Sequence, residues 1–272
     1  MLRSLVGSEM CIRDSGKVAL ITGASSGIGE AIAKALYNEG YSIAVTGRSE
    51  NRLRDAYKDC NTSRILYIEA DATNTTTYAN VVGRTIVQFK RLDVLVNNVG
   101  GGTLGKTLSA TTLDDFNRDM NLNLTSVFFT SQAAIPYITE TKGTIINFSS
   151  ILASRPVAGL GPYSAAKAAV EMLTKTMAIE LAAQGVRVMC ISPATIQTHF
   201  HESAGMSADA AAKYYEASKQ THPLGRVGQP EDISQLVVFL ADSTKAGFMT
   251  GSVIHVDGGR LLTSATANLT KN

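Results

Sequence analysis

Short apolar runs alternate along the chain with longer segments in which apolar residues recur every three or four positions. The first run, residues 17–22 (KVALIT), is apolar through its middle and ends in Thr-Gly. A continuous run of that length fits a strand buried on both faces of a parallel sheet. Residues 28–38 follow with a helical apolar pattern. Further strand-like runs come at 42–46, Ile65–Glu69, 92–96, Thr144–Phe148, 186–191 and Val253–Val256, with helical segments between them. Seven strands separated by helices imply βαβ units: an α/β, doubly wound fold with a seven-stranded parallel sheet and helices on both faces. No linker, internal repeat or low-complexity tract divides the pattern, so residues 16–272 read as one domain. Residues 199–222, after the sixth strand, are the least regular and read as a short helical lid over a pocket.

Composition narrows the class. The chain has 272 residues, 44% hydrophobic and 18% charged, which is globular rather than disordered or fibrous. Its formal net charge is +2 with no basic run, so no nucleic-acid partner is expected. The apolar runs fall well short of the ~20 residues of a membrane helix, so no membrane span is expected. Cys11, Cys60 and Cys190 lie far apart. A disulfide framework or zinc site is therefore not expected, and a reducing, cytoplasmic setting fits. The four histidines are scattered apart from His199 and His201, so no metal site is expected. Residues 1–15 (MLRSLVGSEMCIRDS) lack the features of a secretory signal. They read as non-native adaptor sequence ahead of a start near Gly16, or as a disordered tail.

Candidate chemistry begins in the turn after the first strand. Residues 22–29 read TGASSGIG, where a phosphate-binding turn belongs. Gly23 can take backbone angles closed to other residues. Gly27 lets the backbone approach a pyrophosphate, and Gly29 lets the helix pack close to the sheet. The following helix start offers free N–H groups to an anion. The second strand ends Thr46-Gly47-Arg48, with no carboxylate to hold the ribose hydroxyls. Arg48 instead offers a fork of donors to a 2′-phosphate, which favours NADP(H) over NAD(H). The plain alternative is a solvated Arg48 beside a helix capped by Ser49. Asp71, after the third strand, is placed to meet the adenine, or is simply a turn aspartate.

Tyr163 and Lys167 form a YxxxK pair at the start of a predicted helix, on one face of it. An ammonium near a phenol favours phenolate, which would bring tyrosine into range as an acid or base. Ser150 precedes Tyr163 at the end of the fifth strand. Both therefore lie at the carboxyl edge of the sheet, where doubly wound folds bind ligands.

In this order the motifs resemble the classical short-chain dehydrogenase/reductase family, on the branch of the 3-oxoacyl-carrier-protein reductases. The resemblance runs from about Gly16 to Leu262. It rests on Thr22–Gly29, Asn97-Asn98-Val99-Gly100, Asn123 in Leu-Asn-Leu-Thr, Ser150, Tyr163, Lys167, Pro223-Leu224-Gly225-Arg226 and Val256-Asp257-Gly258-Gly259. It implies a single-domain Rossmann-type fold in which Tyr163 gives a proton to a carbonyl oxygen, or takes one from an alcohol. Ser150 would polarise that oxygen, and Lys167 would tune Tyr163 and bind the nicotinamide ribose. Asn123, with Asn121 as a rival, would hold a water of a proton relay. Cofactor contacts are implied at Ser25, Ser26, Ile28, Asp71, Ala72, Asn98, Val99, Gly100, Pro193, Ile196 and Thr198. Val99 stands where the family has alanine, and Ala194 where it usually has glycine after Pro193. The family's helix faces imply a homotetramer, or a homodimer.

The implied activity is NADPH-dependent reduction of a ketone or aldehyde. An NAD-dependent alcohol, sugar or hydroxysteroid dehydrogenase is the alternative, and a non-catalytic nucleotide-binding protein a weaker one. The expected pocket positions, Gly101, Leu152, Val157, Leu160, His199 and Phe200, are mostly apolar. They favour a neutral carbonyl/alcohol substrate, with Arg155 as the one nearby cation in the sequence.

Overall fold

A computed structural model describes residues 15–263, apart from 103, 104 and 204; of the expected tail, residues 1–15, only Ser15 is described, and its N–H and hydroxyl both donate to the Gly40 carbonyl. Seven strands form one parallel sheet: β1 (Val18–Ile21), β2 (Ser42–Gly47), β3 (Ile65–Glu69), β4 (Val94–Asn97), β5 (Thr144–Phe148), β6 (Arg187–Pro193) and β7 (Val253–Val256). Their order is β3-β2-β1-β4-β5-β6-β7, the doubly wound Rossmann arrangement that the apolar runs predict. Each strand lies within two residues of its expected boundaries, because a buried parallel strand leaves an unbroken apolar run.

The helices are α1 (Gly27–Asn38), α2 (Glu50–Ala56), α3 (Thr77–Phe89), α4 (Leu113–Met120), α5 (Ser126–Thr141) and α6 (Gly161–Leu181). After β6 come α7 (Phe200–Ser203), α8 (Ala208–Lys219), α9 (Pro230–Ala241) and α10 (Ser243–Ala246). Alternation along the strands sends side chains to two cores. Ala19, Ile21 and Val45 pack with Ile32, Leu36, Leu53, Val237 and Leu240 on one face. Val18, Leu20 and Leu95 pack with Val82, Ile138, Met177 and Leu181 on the other. Burying a leucine or isoleucine contributes about 1.5–3 kcal/mol, so the two cores hold the carboxyl ends of the strands in fixed register.

That register positions the site. The strand order reverses between β1 and β4, which opens a crevice beyond their carboxyl ends. Between α4 and α5 the chain passes through a π-helical turn, Asn121–Thr125. Such turns are frequent at functional sites, and this one carries Asn123. No described helix is long and apolar enough to cross a membrane.

Candidate active site

The glycine-rich turn is tied to the end of β4. The Thr22 hydroxyl accepts from the backbone N–H of Asn98 (3.0 Å) and Val99 (3.2 Å). Asn98 Nδ2 donates to the carbonyls of Thr22 and Gly23, each at 3.0 Å. Gly23 holds φ +66°, and a Cβ there would lie 2.9 Å from Val99 Cγ2. The bulk of Val99 therefore presses on the turn itself. A Cβ on Gly29 would lie 2.3 Å from the Gly23 carbonyl oxygen, which no side chain can tolerate.

The start of α1 is open. Ser26 makes no side-chain cap to it. Ser49, Thr112 and Ser207 do cap α2, α4 and α8. The first-turn N–H groups of α1 are thus left for an external acceptor. Ser25, Ser26, Gly27 and Ile28 line this start, and Thr198 closes over it: a Cβ on Gly27 would be 3.1 Å from Thr198 Cγ2. These residues fit the pyrophosphate of a dinucleotide.

At the other end of the crevice, Arg48 is exposed just beyond β2. Asp71 accepts from the Thr73 N–H (2.9 Å) and hydroxyl (2.8 Å). These bonds hold its carboxyl below the usual range, and the charge of Arg48 adds to them. Asp71 is thus a turn aspartate within electrostatic reach of Arg48. Ala72 is half-buried, and its carbonyl accepts from the Tyr78 hydroxyl at 3.0 Å.

The chemical groups lie between β5 and α6. Ser150 caps a single 3-10 turn, its hydroxyl accepting from the Leu152 N–H at 3.2 Å. Tyr163 and Lys167 lie one turn apart on the buried face of α6. Lys167 Nζ is 5.7 Å from the Tyr163 ring centroid and donates to the Phe148 carbonyl at 2.9 Å. Asn123 Nδ2 donates to the carbonyls of Gly101 (2.6 Å) and Asp119 (2.8 Å), and Oδ1 accepts from the Gly101 N–H (3.2 Å). A Cβ on Gly100 would lie 3.1 Å from Lys167 Nζ and 3.2 Å from Asn123 Oδ1, so these three residues share one pocket wall. Asn121 instead accepts from Thr125 within the π turn. Asn97 is buried below the site, bonded to Ser131 and Asn147 rather than open to the crevice.

The electrostatics differ from expectation. The YxxxK spacing predicts that Lys167 draws the Tyr163 pKa down. In the fold, burial pushes the phenol up to about 12, and Ser150 favours the ionised form only in part. Burial also brings Lys167 down to about 8. Desolvation disfavours both charged forms, and at their separation it outweighs the attraction between them. Tyr163 therefore holds its proton firmly.

Phe200 faces Tyr163 at 6.5 Å between ring centroids. Leu152 and Leu160 are half-buried, Val157 is 52% exposed, and a Cβ on Gly101 would meet Leu122 Cδ2 at 3.0 Å. His199 is exposed, 3.3 Å from the Glu202 carboxylate, so Phe200 is the lid side chain that meets the tyrosine. Ile196 is buried and bridges to Gly228, next to Pro193 at the end of β6 and Ala194, whose N–H donates to the Val256 carbonyl. Two contributors carry no local signal in the sequence. The Tyr215 hydroxyl donates to the Thr198 carbonyl at 2.6 Å and meets His201 Nδ1 at 2.9 Å, fastening α8 to the crevice. Gly102 lies flat under Tyr163, where a Cβ would approach its ring to 3.0 Å.

Fold and site together define an oxidoreductase that binds a nicotinamide dinucleotide. Residues 23–260 match the sequence model of a family described as enoyl-(acyl carrier protein) reductase. The L-fucose dehydrogenase of Oryctolagus cuniculus is 34% identical over 94% of this chain and 89% of its own length. The 3-oxoacyl-[acyl-carrier-protein] reductase of Thermotoga maritima is 34% identical over 92% of this chain and 100% of its own. A short-chain dehydrogenase/reductase of unknown function from Caenorhabditis elegans, solved with cofactor, superposes with a TM-score of 0.87. It is 32% identical and covers 93% of this chain and 98% of that one. A 3-ketoacyl-(acyl-carrier-protein) reductase from Brucella melitensis, complexed with NADH, gives 0.82 at 30% identity over 90% and 98%. The chain belongs to the short-chain dehydrogenase/reductase family.

Proposed function

We propose that the protein reduces a ketone or aldehyde to an alcohol with NADPH. The observation that carries this reading is the position of Tyr163, buried beside Ser150 and one helical turn from Lys167, where burial pushes its pKa up to about 12. A phenol that keeps its proton suits an acid better than a base. When bound, the reduced nicotinamide would supply the hydride. The protein's part is to orient the carbonyl and carry the proton. The Ser150 hydroxyl donates to the substrate oxygen and polarises it. Tyr163 Oη passes its proton to that oxygen as negative charge develops there. The phenolate left behind is stabilised by Ser150 and by the Lys167 ammonium, which also reaches the ribose. Asn123 would hold a water of the relay that returns a proton, and Asn98, Val99 and Gly100 would line the cofactor.

The preference for NADPH rests on Arg48 just beyond β2, whose own end, Thr46-Gly47-Arg48, carries no carboxylate to accept from ribose hydroxyls. A second reading, NAD-dependent oxidation of an alcohol or sugar, is favoured by the L-fucose dehydrogenases among the relatives and by the Brucella reductase bound to NADH. We take residues 16–272 as one catalytic unit with a lid over 199–222, and its setting as cytoplasmic. Exposed Leu113, Phe116, Phe128 and Phe129 on α4 and α5 support a homotetramer or homodimer.

The test follows absorbance of NADPH and NADH separately with a panel of ketones, aldehydes and aldoses. Turnover with NADPH is expected, falling at least ~100-fold in Tyr163→Phe with NADPH binding unchanged. Turnover with NADH alone would replace this reading by the second. Tight NADPH binding with no turnover of any carbonyl would refute both.

A further inference from the structure

The sequence offers one cation near the pocket; the fold brings a second against it. Arg155 follows Ser150 by five residues, and its Nη1 donates to the Arg260 carbonyl at 2.8 Å. Arg260 begins the 3-10 turn after β7 and is itself half-buried. Burial disfavours the charged form of Arg260, and the nearby Arg155 charge adds to that effect. Among the described residues, no carboxylate pairs with either side chain. The nearest acid in sequence, Asp257, is spent on the N–H groups of Gly259 and Leu261. Among the described residues, the Arg260 side chain donates to the Thr263 hydroxyl, at 3.1 Å.

Two like charges held together without a counterion repel, and an anion between them would relieve that repulsion. Guanidinium forks match the geometry of an oxyanion such as a carboxylate or sulfonate. Their position joins this feature to the active site. Both residues follow the carboxyl ends of sheet strands. Arg260 is within electrostatic reach of Tyr214, whose ring centroid is 4.4 Å from that of His201. His201 adjoins Phe200, the lid residue that faces Tyr163.

We propose that Arg155 and Arg260 form an anion-recognition site at the lid side of the pocket, so that the substrate is a carbonyl compound bearing a remote carboxylate or sulfonate. This replaces the neutral substrate that the apolar pocket residues suggest, and it rests on the reductase reading above. The apolar residues would then hold the middle of the substrate, between its carbonyl at Tyr163 and its anionic end.

Calorimetry on the NADPH-loaded protein tests the site without turnover. The probes are alcohols, which do not react with the reduced cofactor: 4-(hydroxymethyl)benzoate, the matching sulfonate, and the neutral methyl ester. A short aliphatic and a medium-chain hydroxy acid, each with its methyl ester, widen the range of shapes. Tighter binding of the acid than of its ester by about tenfold or more is expected for at least one pair. Arg155→Gln and Arg260→Gln should each remove most of that difference and leave the ester's affinity unchanged. The unchanged ester shows that the pocket is still folded. A sulfonate that matches the carboxylate identifies a general oxyanion site; carboxylate alone identifies the narrower class. Equal affinity for acid and ester in every pair, or variants that weaken both alike, would overturn the inference. Turnover of neutral carbonyls with NADPH would then still stand. Acid-selective binding in a protein that reduces no carbonyl would refute the reductase reading and keep the anion site.

Discussion

Replacing Lys167 with methionine is expected to stabilise the cofactor-free protein while ending its turnover. The ammonium is only 2% exposed, and burial brings its pKa from the usual 10.5 down to about 8. At neutral pH that displacement corresponds to about 3 kcal/mol of destabilisation carried by the folded state. Methionine removes the charge and keeps most of the apolar stem. It also strips the Phe148 carbonyl of its donor, which costs about 1–2 kcal/mol. The net gain is therefore about 1–2 kcal/mol, or roughly 2–5 °C in Tm for a chain of this size. The sign depends on pH in a definite way. Between pH 8 and 10.5 the unfolded chain binds the lysine proton and the folded one does not, so wild-type stability from this group rises with pH. The advantage of the variant should be complete below pH 8 and shrink as pH approaches 10.5. Tyr163 contributes with the opposite sign between pH 10 and 12, but it is present in both proteins and its intrinsic effect cancels. Thermal melts followed by circular dichroism at pH 7 and pH 10 measure the difference. A wild type that melts above the variant at pH 7, or a gap that does not narrow by pH 10, would refute the reasoning.

Arg48→Ala should raise the KM for NADPH by about tenfold or more and leave that for NADH unchanged, because it removes a charge-assisted contact available only to the 2′-phosphate; equal loss with both cofactors would count against that role. Gly29→Ala places a Cβ 2.3 Å from the Gly23 carbonyl oxygen and should lower stability by about 1–3 kcal/mol while abolishing NADPH binding, read by denaturant unfolding and by nucleotide fluorescence. Tyr215→Phe removes the bonds to Thr198 and His201 and should cost about 1–2 kcal/mol of stability. It should also weaken NADPH binding through Thr198, and unchanged nucleotide affinity would show that the lid anchor does not reach the crevice.

Most of the strands are legible because a parallel strand covered on both faces is mostly apolar along its length; Asn147 in β5 and His255 in the partly exposed β7 are exceptions. The glycine turn was legible for a related reason. A Cβ at Gly23 or Gly29 meets Val99 or the turn's own carbonyl, so chain geometry dictates those residues locally. Lys167 and Tyr163 showed as a pair because helical spacing is local too. What stayed hidden depends on contacts across long stretches of chain. Arg155 meets Arg260 across 105 positions, and Tyr215 meets Thr198 across 17 through an irregular lid. No periodicity records such a meeting. The direction of the Tyr163 shift was hidden for another reason. The spacing of Tyr163 and Lys167 shows the attraction between them, while the desolvation that opposes it depends on how deeply α6 is packed against β5 and β6.

That burial gives the site its chemical bias. A phenol exposed to water and paired with an ammonium would lose its proton more readily and favour abstraction from an alcohol. Here the walls made by Gly100, Gly102 and Phe200 shut the pair away, and both groups are pushed toward neutrality. A proton kept on Tyr163 until a developing alkoxide draws it off is the arrangement that reduction requires. A lysine near pKa 8 is still largely charged at neutral pH, so the ammonium of Lys167 stays beside the neutral phenol to stabilise the phenolate that proton transfer leaves. Positive charge at the pocket's other end, on Arg155 and Arg260, can orient an anionic substrate. The two ends divide the work: one reads the substrate's charge, the other moves its proton.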